Sequence, residues 1–195
     1  PENVDHVLLN SPVLSQRKLH QLLALPRFAA SHRYIDLYFD AESSLELALE
    51  RICAEAEAAA RAGTELLILS DRRPRRDTAA VHALLATGAV HQHLVRTGLR
   101  CEVNLIVETG TARDPHHFAC LVGFGATAVY PYLAYQTLHA LGRRGILGGK
   151  ASGEPQQIGR SYRRGVKKGL LKILSKMGIG CIASYRGAQL FEIVG

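Results

Sequence analysis

The chain has 195 residues, of which 47% are hydrophobic and 21% charged, the composition of a globular domain with a substantial core. No stretch reaches the roughly 18 consecutive apolar residues that a membrane-spanning helix needs, so we expect no membrane protein. The net charge is +7, but aromatic residues make up only 6% of the chain and few lie among the basic ones. A stacking platform for single strands is therefore not expected, and neither is a nucleic-acid partner.

The chain start and the cysteines indicate a cellular context. The first ten residues, PENVDHVLLN, are acidic and lack the apolar length of a secretory signal peptide, which predicts a start inside a longer chain. Free cysteines in apolar surroundings often behave as small buried hydrophobes, and no CxxC pair is present. We expect reduced structural thiols rather than metal ligands, and a cytoplasmic location. The four cysteines are Cys53, Cys101, Cys120 and Cys181.

Strand and helix patterns alternate in the first third of the chain. Residues 33–40, RYIDLYFD, predict a strand because apolar side chains recur at every second position. Residues 43–62 predict an amphipathic helix, which Gly63 ends in a left-handed conformation. Residues 65–71, ELLILSD, form a nearly continuous apolar run. Such a run is typical of a strand that is covered on both faces in a mostly parallel sheet.

The alternation continues after the basic loop SDRRPRRD. Residues 78–97 predict a helix, and residues 100–108 predict the next strand. Asp114 and Pro115 predict a helix start, with the aspartate as N-cap and the proline at the first helical position. Residues 126–130, ATAVY, then predict a fourth, short strand.

The last third of the chain contains a glycine-rich interruption. Pro131 opens a predicted helix, and residues 145–159, GILGGKASGEPQQIG, predict a long surface loop. The chain then closes with a predicted helix over residues 161–176, a strand over residues 179–184 and a short helix from Gly187 onwards.

Strand–helix pairs thus recur at roughly 25–35 residues, which is the spacing of βα units. We expect an α/β fold of parallel βα units with the helices outside the sheet, in a single domain over residues 1–195. Ligands of such sheets bind beyond the carboxyl ends of the strands. The residues at these predicted ends are Asp40, Ser70, Asp71, Arg72, Glu108, Thr109, Gly110, Tyr130, Ser184, Tyr185 and Arg186.

No motif in these patterns predicts catalysis. The glycines of GFGATA lie at a helix-to-strand turn, the wrong side of a dinucleotide-binding unit, and are expected to allow positive φ. His91 and His93 are two positions apart, and His116 and His117 are adjacent, so neither pair has the spacing of a helical zinc site. We expect surface or capping histidines, with a general-base role for His116 or His117 as an open alternative.

One resemblance covers nearly the whole chain. The closing stretch KGLLKILSKMGIGCIASYRGAQLFEIVG strongly resembles the end of the central domain of the large (alpha) subunit of bacterial glutamate synthase. Other stretches agree with that family in the same order: HVLLNSPVLSQRKLHQLL, ELLILSDR, AVHALLATGAVHQHLVRTGLR and PHHFACLVGFGATAVYPYLAYQTL. Several motifs in the right order are more specific than any single short match.

The resemblance implies a fold and a function. The family enzyme converts glutamine and 2-oxoglutarate to two glutamates. An amidotransferase domain releases ammonia, which passes through an internal tunnel to an FMN-binding synthase domain with a 3Fe-4S cluster. The central domain is implied to be a rudimentary or partial TIM-barrel-like relative of the flavin barrel, placed between these two domains. This chain is then a fragment of that domain, inactive alone, with a flavin domain after Gly195.

The resemblance carries no catalytic residue, cofactor-binding residue or metal ligand to this chain. The implied partners are the amidotransferase and FMN-binding domains of the same polypeptide, and a small NADPH-oxidising subunit is a further candidate. We expect contacts with the flavin domain from the residues around the closing helix and strand. These residues are Ser175, Lys176, Met177, Ser184, Tyr185 and Arg186.

A second hypothesis belongs to another class of protein. In it the chain is an autonomous α/β module that binds a small anion or nucleotide at the carboxyl ends of its strands. Arg72, Arg73 and Arg186 would then be the partners of the anion, because each follows or lies near a predicted strand end.

Overall fold

A computed structural model describes residues 7–147 and 154–190 of the chain. The strands are β1 (His32–Asp36), β2 (Tyr38–Asp40), β3 (Leu66–Ser70), β4 (Thr78–Ala80), β5 (Asn104–Glu108) and β6 (Ala128–Tyr130). The helices are α1 (Gln16–Leu23), α2 (Pro26–Ala29), α3 (Leu45–Arg61), α4 (Ala83–Arg96), α5 (Pro115–Gly123), α6 (Tyr132–Arg143), α7 (Pro155–Lys176) and α8 (Ile182–Tyr185). None of these helices combines the length and the apolar character that crossing a membrane requires.

The main sheet is parallel throughout and follows the order β1–β3–β5–β6. The four strands lie side by side in the same order as they occur in the chain, and helices connect them. This is the arrangement of a segment of a βα barrel. The sheet does not close: among the described residues β1 pairs only with β3, and beyond β6 there is a single bridge between Val13 and Val129. The expected α/β fold of parallel βα units in a partial TIM-barrel-like layout is confirmed.

The central strand β3 is buried along its whole length because both of its faces are covered. On one face, Leu67 and Leu69 belong to the larger core, which they share with residues of α3, α4, α5 and α7. On the other face, Leu66 and Ile68 belong to a second core. The apolar run that predicted a doubly covered strand is therefore confirmed.

The second core is built by the N-terminal helices. Leu19 of α1 and Phe28 of α2 are buried with Ile68, Ile106 and Ala128 of the sheet. In a closed barrel this face would line the interior and pack against opposite strands. Here α1 and α2 cover this face instead. The apolar side chains of the face are therefore buried although the sheet does not close into a barrel.

The β2–β4 ribbon departs from the sequence prediction. The predicted strand over residues 33–40 breaks at Leu37. The Leu37 N–H donates to Ser70 O, and the Leu37 carbonyl accepts from the Val81 N–H. The predicted helix from residue 78 was wrong in its first turn, because residues 78–80 pair antiparallel with Tyr38–Asp40. This pairing supplies the backbone hydrogen bonds that a helical turn would otherwise provide.

The closing segment also differs from the prediction. Residues 179–184 form no strand; the chain makes the short helix α8 and buries Tyr185 against Gly123 at the end of α5. The N–H groups of Gly187 and Gln189 then donate to Val122 O and Gly123 O. The Gly123 carbonyl at the helix end gains its donor in this way, and the Val122 carbonyl, which already accepts from the Gly125 N–H, gains a second one.

Other local predictions have mixed outcomes. The predicted helix from Gly187 is absent from residues 187–190, and residues 191–195 lie outside the described part. The predicted surface loop is too long, because α7 begins at Pro155; residues 148–153 of it are likewise not described. The expected buried thiols are not found: Cys53 and Cys120 are half-buried, and Cys101 and Cys181 are exposed.

The helix start at Asp114 is confirmed. Its carboxylate accepts from the N–H groups of His116 and His117, while the His117 ring accepts from the Asp114 N–H, which completes a capping box. The predicted positive φ values are also confirmed, at +85° for Gly63 and +115° for Gly125, but the prediction was wrong for Gly123, which is the last residue of α5. Both Gly63 and Gly125 end a helix before a strand, where a left-handed residue is needed.

The cover of the second face can be tested with Leu19→Ala. Leu19 is 1% exposed, so its truncation should lower the free energy of unfolding by about 2–5 kcal/mol in urea denaturation. Leu25→Ala is the matched control, because Leu25 is 37% exposed and should cost about 1 kcal/mol or less. Equal costs for the two variants would contradict the packing described for α1.

Candidate functional site

The carboxyl edge of the sheet, where β3, β5 and β6 end, contains a dense polar network around Asp71. The Asp71 carboxylate accepts from the Thr109 hydroxyl and, at 2.9 Å, from the Gly110 N–H. Its backbone carbonyl accepts from the hydroxyl groups of Tyr38 and Tyr132, at 3.0 and 3.1 Å. Asp71 is 6% exposed, so these bonds replace the water that burial removes.

Glu108 is the second centre of this edge. The Ser70 hydroxyl donates to Glu108 Oε2 at 2.6 Å, and Arg72 Nη1 donates to Oε1 at 3.0 Å. The Arg72 guanidinium also lies 5.7 Å from the ring centroid of Tyr130 and 5.6 Å from that of Tyr132, within cation–π distance. One arginine thus holds the carboxylate at the end of β5 and the two tyrosines at the end of β6.

The pKa shifts at this edge keep its groups in the protonation states that these hydrogen bonds need. Burial raises the pKa of Tyr132, and the negative charge of Asp71 raises it further. Burial acts to lower the pKa of Arg72, but the hydrogen bond to Glu108 acts to raise it, and the net direction is upward. The tyrosine therefore remains a neutral donor and the arginine remains charged. Asp71, Glu108 and Arg72 each bond a neighbouring residue, so this network joins the strand ends.

The structure unites some of the predicted strand-end residues and separates others. Residues of β3, β5 and β6 meet at the carboxyl edge as the parallel topology requires. Asp40 lies instead in the β2–β4 ribbon. Ser184 and Tyr185 belong to a helix and Arg186 follows it, so the three do not end a strand.

Arg186 lies at the opposite, amino edge, in a cluster with His91 and Arg100. The Arg100 guanidinium donates to Val103 O and Gly125 O, both at 2.8 Å, in the segments that lead into β5 and β6. Its Nε donates to Nδ1 of His91 at 2.8 Å. Burial lowers the pKa of His91, and the positive charges of Arg100 and Arg186 lower it further.

The anion site of the second hypothesis therefore does not form. Arg72 belongs to the carboxyl edge and is bonded to Glu108, whereas Arg186 belongs to the amino edge. Arg73 is exposed beside the carboxyl edge. Three cations on two opposite edges of the sheet cannot converge on one small anion.

The residues predicted to contact a flavin domain lie on the outside of the fold, with one exception. Ser175 and Lys176 end α7, Met177 is its C-cap, and all three are exposed. Ser184 and Arg186 are exposed as well. The exception is Tyr185, which is 1% exposed and packs in the larger core, where burial raises its pKa to about 12.

The histidines serve structural contacts. His93 Nε2 lies 2.7 Å from a carboxylate oxygen of Glu57, which joins α4 to α3. The His117 ring is used in the capping box of α5, and His116 Nε2 lies 3.6 Å from Sγ of Cys120. Within residues 7–147 and 154–190 no three histidine, cysteine or acidic side chains are grouped closely enough to hold a metal.

Sequence reasoning missed two contributors to the carboxyl edge. Tyr38 comes from the β2–β4 ribbon, which the pattern did not predict, and Tyr132 comes from the first turn of α6. The glycine at position 110 is the sequence feature that could have indicated the contribution of Tyr132. A side chain there would bring its Cβ to 3.1 Å from the Tyr132 hydroxyl oxygen, which is closer than ordinary contact allows.

Solved structures support the same class of fold. A mutant flavocytochrome b2 with pyruvate bound is 15% identical, with a TM-score of 0.50 over 70% of this chain and 31% of that chain. DHODH from Eimeria tenella in complex with ferulenol is 16% identical, with a TM-score of 0.50 over 82% of this chain and 38% of that chain. At such identities only the fold is shared. The molecule is an open, TIM-barrel-like α/β domain.

Its family is shown by sequence. The glutamate synthase central domain family matches residues 1–195, and the chain belongs to that family. It is 41% identical, over its full length, to ferredoxin-dependent glutamate synthase 2 of Arabidopsis thaliana. It is 40% identical over 99% of its length to the NADPH glutamate synthase large chain of Bacillus subtilis. The chain spans only 13% and 12% of these two relatives, so it corresponds to one part of a larger polypeptide.

The ion pair of the carboxyl edge can be tested with Glu108→Gln. The Glu108 side chain is 4% exposed and that of Arg72 is 32% exposed, so the change leaves a half-buried cation without its carboxylate. We expect the free energy of unfolding to fall by about 3 kcal/mol, the low end for a broken buried pair. Glu55→Gln breaks the exposed pair with Arg51 and should cost about 1 kcal/mol or less. Similar costs for both variants would show that the edge is not a stabilising network.

The amino-edge cluster predicts a pH effect on stability. Because the pKa of His91 is lowered in the folded chain, the unfolded chain takes up this proton first as the pH falls below about 6.5. The free energy of unfolding should therefore decline from that pH downwards, towards the lowered pKa. His91→Gln should make the decline shallower in urea denaturation at a series of pH values, whereas His20→Gln, at an exposed position, should not. Identical pH profiles for wild type and His91→Gln would contradict the role of His91.

Proposed function

We propose that this chain is the connecting central domain of a glutamate synthase polypeptide. In this proposal it links a glutamine amidotransferase domain to an FMN-binding synthase domain and helps to form the ammonia tunnel between them. The parent enzyme, an oxidoreductase, then makes glutamate from glutamine and 2-oxoglutarate in the cytoplasm. The chain alone is inactive, and a small NADPH-oxidising subunit is a further candidate partner of the parent.

The observation that supports the proposal is that, in this member of the family, the polar groups at the carboxyl edge of the sheet bond to one another. In barrel enzymes this edge holds the ligand and the catalytic groups. Here Asp71 and Glu108 are bonded to neighbouring side chains and backbone, and Arg72 is bonded to Glu108. An edge that is filled in this way supports a rigid wall between neighbours. A wall of this kind is what transfer of ammonia between two sites without contact with bulk water requires.

The residues present do not fit the cofactors of the parent. The cation nearest to a phosphate position at the carboxyl edge, Arg72, is bonded to Glu108 and stacked against two tyrosines. Cys53 lies in α3, Cys101 follows α4, Cys120 lies in α5 and Cys181 precedes α8, so the thiols are dispersed over the fold. FMN and the 3Fe-4S cluster are therefore assigned in this proposal to other parts of the parent polypeptide.

The contact with the flavin domain is assigned to one exposed surface. We call this surface, made of Ser175, Lys176, Met177, Ser184 and Arg186, the contact face. Tyr185 lies between two of its members in the chain but is buried, so it supports the face from within and does not touch a neighbour.

Free cysteines without any disulfide accord with the proposed cytoplasmic location.

The proposal is tested with Met177→Glu in the full-length enzyme. A charge on the contact face should loosen the seal between domains, so ammonia should escape to solvent and the glutamate formed per glutamine consumed should fall from about two towards one. The measurement is the ratio of free ammonia released to glutamate formed, at saturating substrates. The matched control is Leu47→Glu on α3, because Leu47 is an exposed apolar residue outside the contact face. An unchanged ratio in Met177→Glu, equal to that in Leu47→Glu, would overturn the assignment of the contact face.

A further inference from the structure

A large cleft lies between α1, the end of β6 with α6, and the start of α7. Its volume is about 780 Å³. Four of its lining residues carry a positive charge, and none of the lining residues is aspartate or glutamate. We call it the basic cleft. The four cations are Arg17, Lys18, Arg160 and Arg163.

These charges have no carboxylate partners among the described residues. The ion pairs of the structure use other arginines, such as Arg27, Arg51 and Arg72. Four like charges in one concave surface repel each other and attract negative charge. No acidic residue lies in the first turn of α1, whose N-cap is Ser15, so the positive end of this helix adds to the same field; the end of α7 carries Glu154 as its N-cap and adds little.

The floor of the cleft has a buried tyrosine hydroxyl beside one of the cations. Tyr135 is 6% exposed, and its hydroxyl lies next to the Arg163 guanidinium. Burial raises its pKa, and the neighbouring Arg163 acts in the opposite direction. A buried donor next to a cation marks a place where a negatively charged group from outside would find hydrogen-bond partners.

We infer that the basic cleft receives an acidic, Asp- or Glu-bearing segment of the same polypeptide from outside this chain. The inference rests on the proposed connecting function and names a second contact. The chain spans about one eighth of the relatives' length, so most of the polypeptide lies elsewhere and its segments are present at high effective concentration. The cleft lies beside the carboxyl edge and the contact face lies near the amino edge, so the two surfaces fit two different neighbours.

The test is zero-length cross-linking in the full-length enzyme. A carbodiimide joins an amine only to a carboxylate that it touches, and Lys18 is the one lysine among the residues that line the cleft. Mass spectrometry should find Lys18 joined to an aspartate or glutamate outside residues 1–195. The cross-link should be lost in Lys18→Arg, which keeps the charge but removes the amine. Lys167 and Lys168, exposed on α7 outside the cleft, are the internal controls.

A pair of double variants gives a second readout. Arg17→Glu with Arg160→Glu reverses two charges of the cleft, and Arg164→Glu with Lys167→Glu reverses two exposed charges that do not line it. In the full-length enzyme the first pair should abolish the Lys18 cross-link and raise hydrogen exchange in α1 and the first turns of α7. The second pair should leave both unchanged.

The outcomes separate this inference from the proposed function. Cross-links from Lys176 of the contact face to residues outside the chain, with none from Lys18, would overturn the cleft assignment and leave the connecting role standing. Cross-links from neither lysine would contradict both. If Lys18 is free of cross-links but is protected from acetylation only by added phosphate or citrate, the cleft binds a small anion and the inference is wrong.

Discussion

The structure depends on one constraint: a parallel sheet with two apolar faces must be covered on both. The helices that alternate with the strands cover one face and are common to all βα folds. The second face is covered by α1 and α2, which place Leu19 and Phe28 against Ile68 and Ala128. In a closed barrel opposite strands would do this. Two short helices therefore bury the face that opposite strands would bury in a closed barrel, and this allows the sheet to remain open.

This arrangement leaves few places for chemistry. The space that corresponds to a barrel interior is filled with apolar side chains, and the carboxyl edge is filled with the bonds of Asp71 and Glu108. The polar groups of this edge are satisfied by one another. What remains for interaction is the outer surface, with the contact face near one edge of the sheet and the basic cleft beside the other. These two surfaces are the ones that the proposed connecting role would use.

Much of the fold was predictable because local signals were strong. The apolar run of β3, the cap at Asp114 and the glycines at positions 63 and 125 each specify one local conformation. The ribbon of β2 and β4 was not predictable, because a helix-like pattern at residues 78–80 was overridden by pairing with residues about 40 positions earlier. The closing helix α8 was missed for a similar reason: its apolar residues fit a strand, but the carbonyls at the end of α5 need donors.

The site was predictable in location and not in content. The rule that places ligands at strand ends selected Asp71, Glu108 and Thr109 correctly as neighbours. It could not show that they bond one another, because the lengths of β3 and β5 and the register between them decide this. The basic cleft was not predictable either, since Lys18 and Arg160 are brought together only by the packing of distant helices.

The cover of the second face also sets an order of events during synthesis. Leu19 stands 109 positions before Ala128, one of the residues that bury it. At ribosomal speeds the first helix leaves the exit tunnel on the order of 5–20 s before that strand can follow. During this interval its leucines can contact only the members of this core that come earlier in the chain, such as Phe28 and Ile68, so part of their apolar surface stays exposed to water.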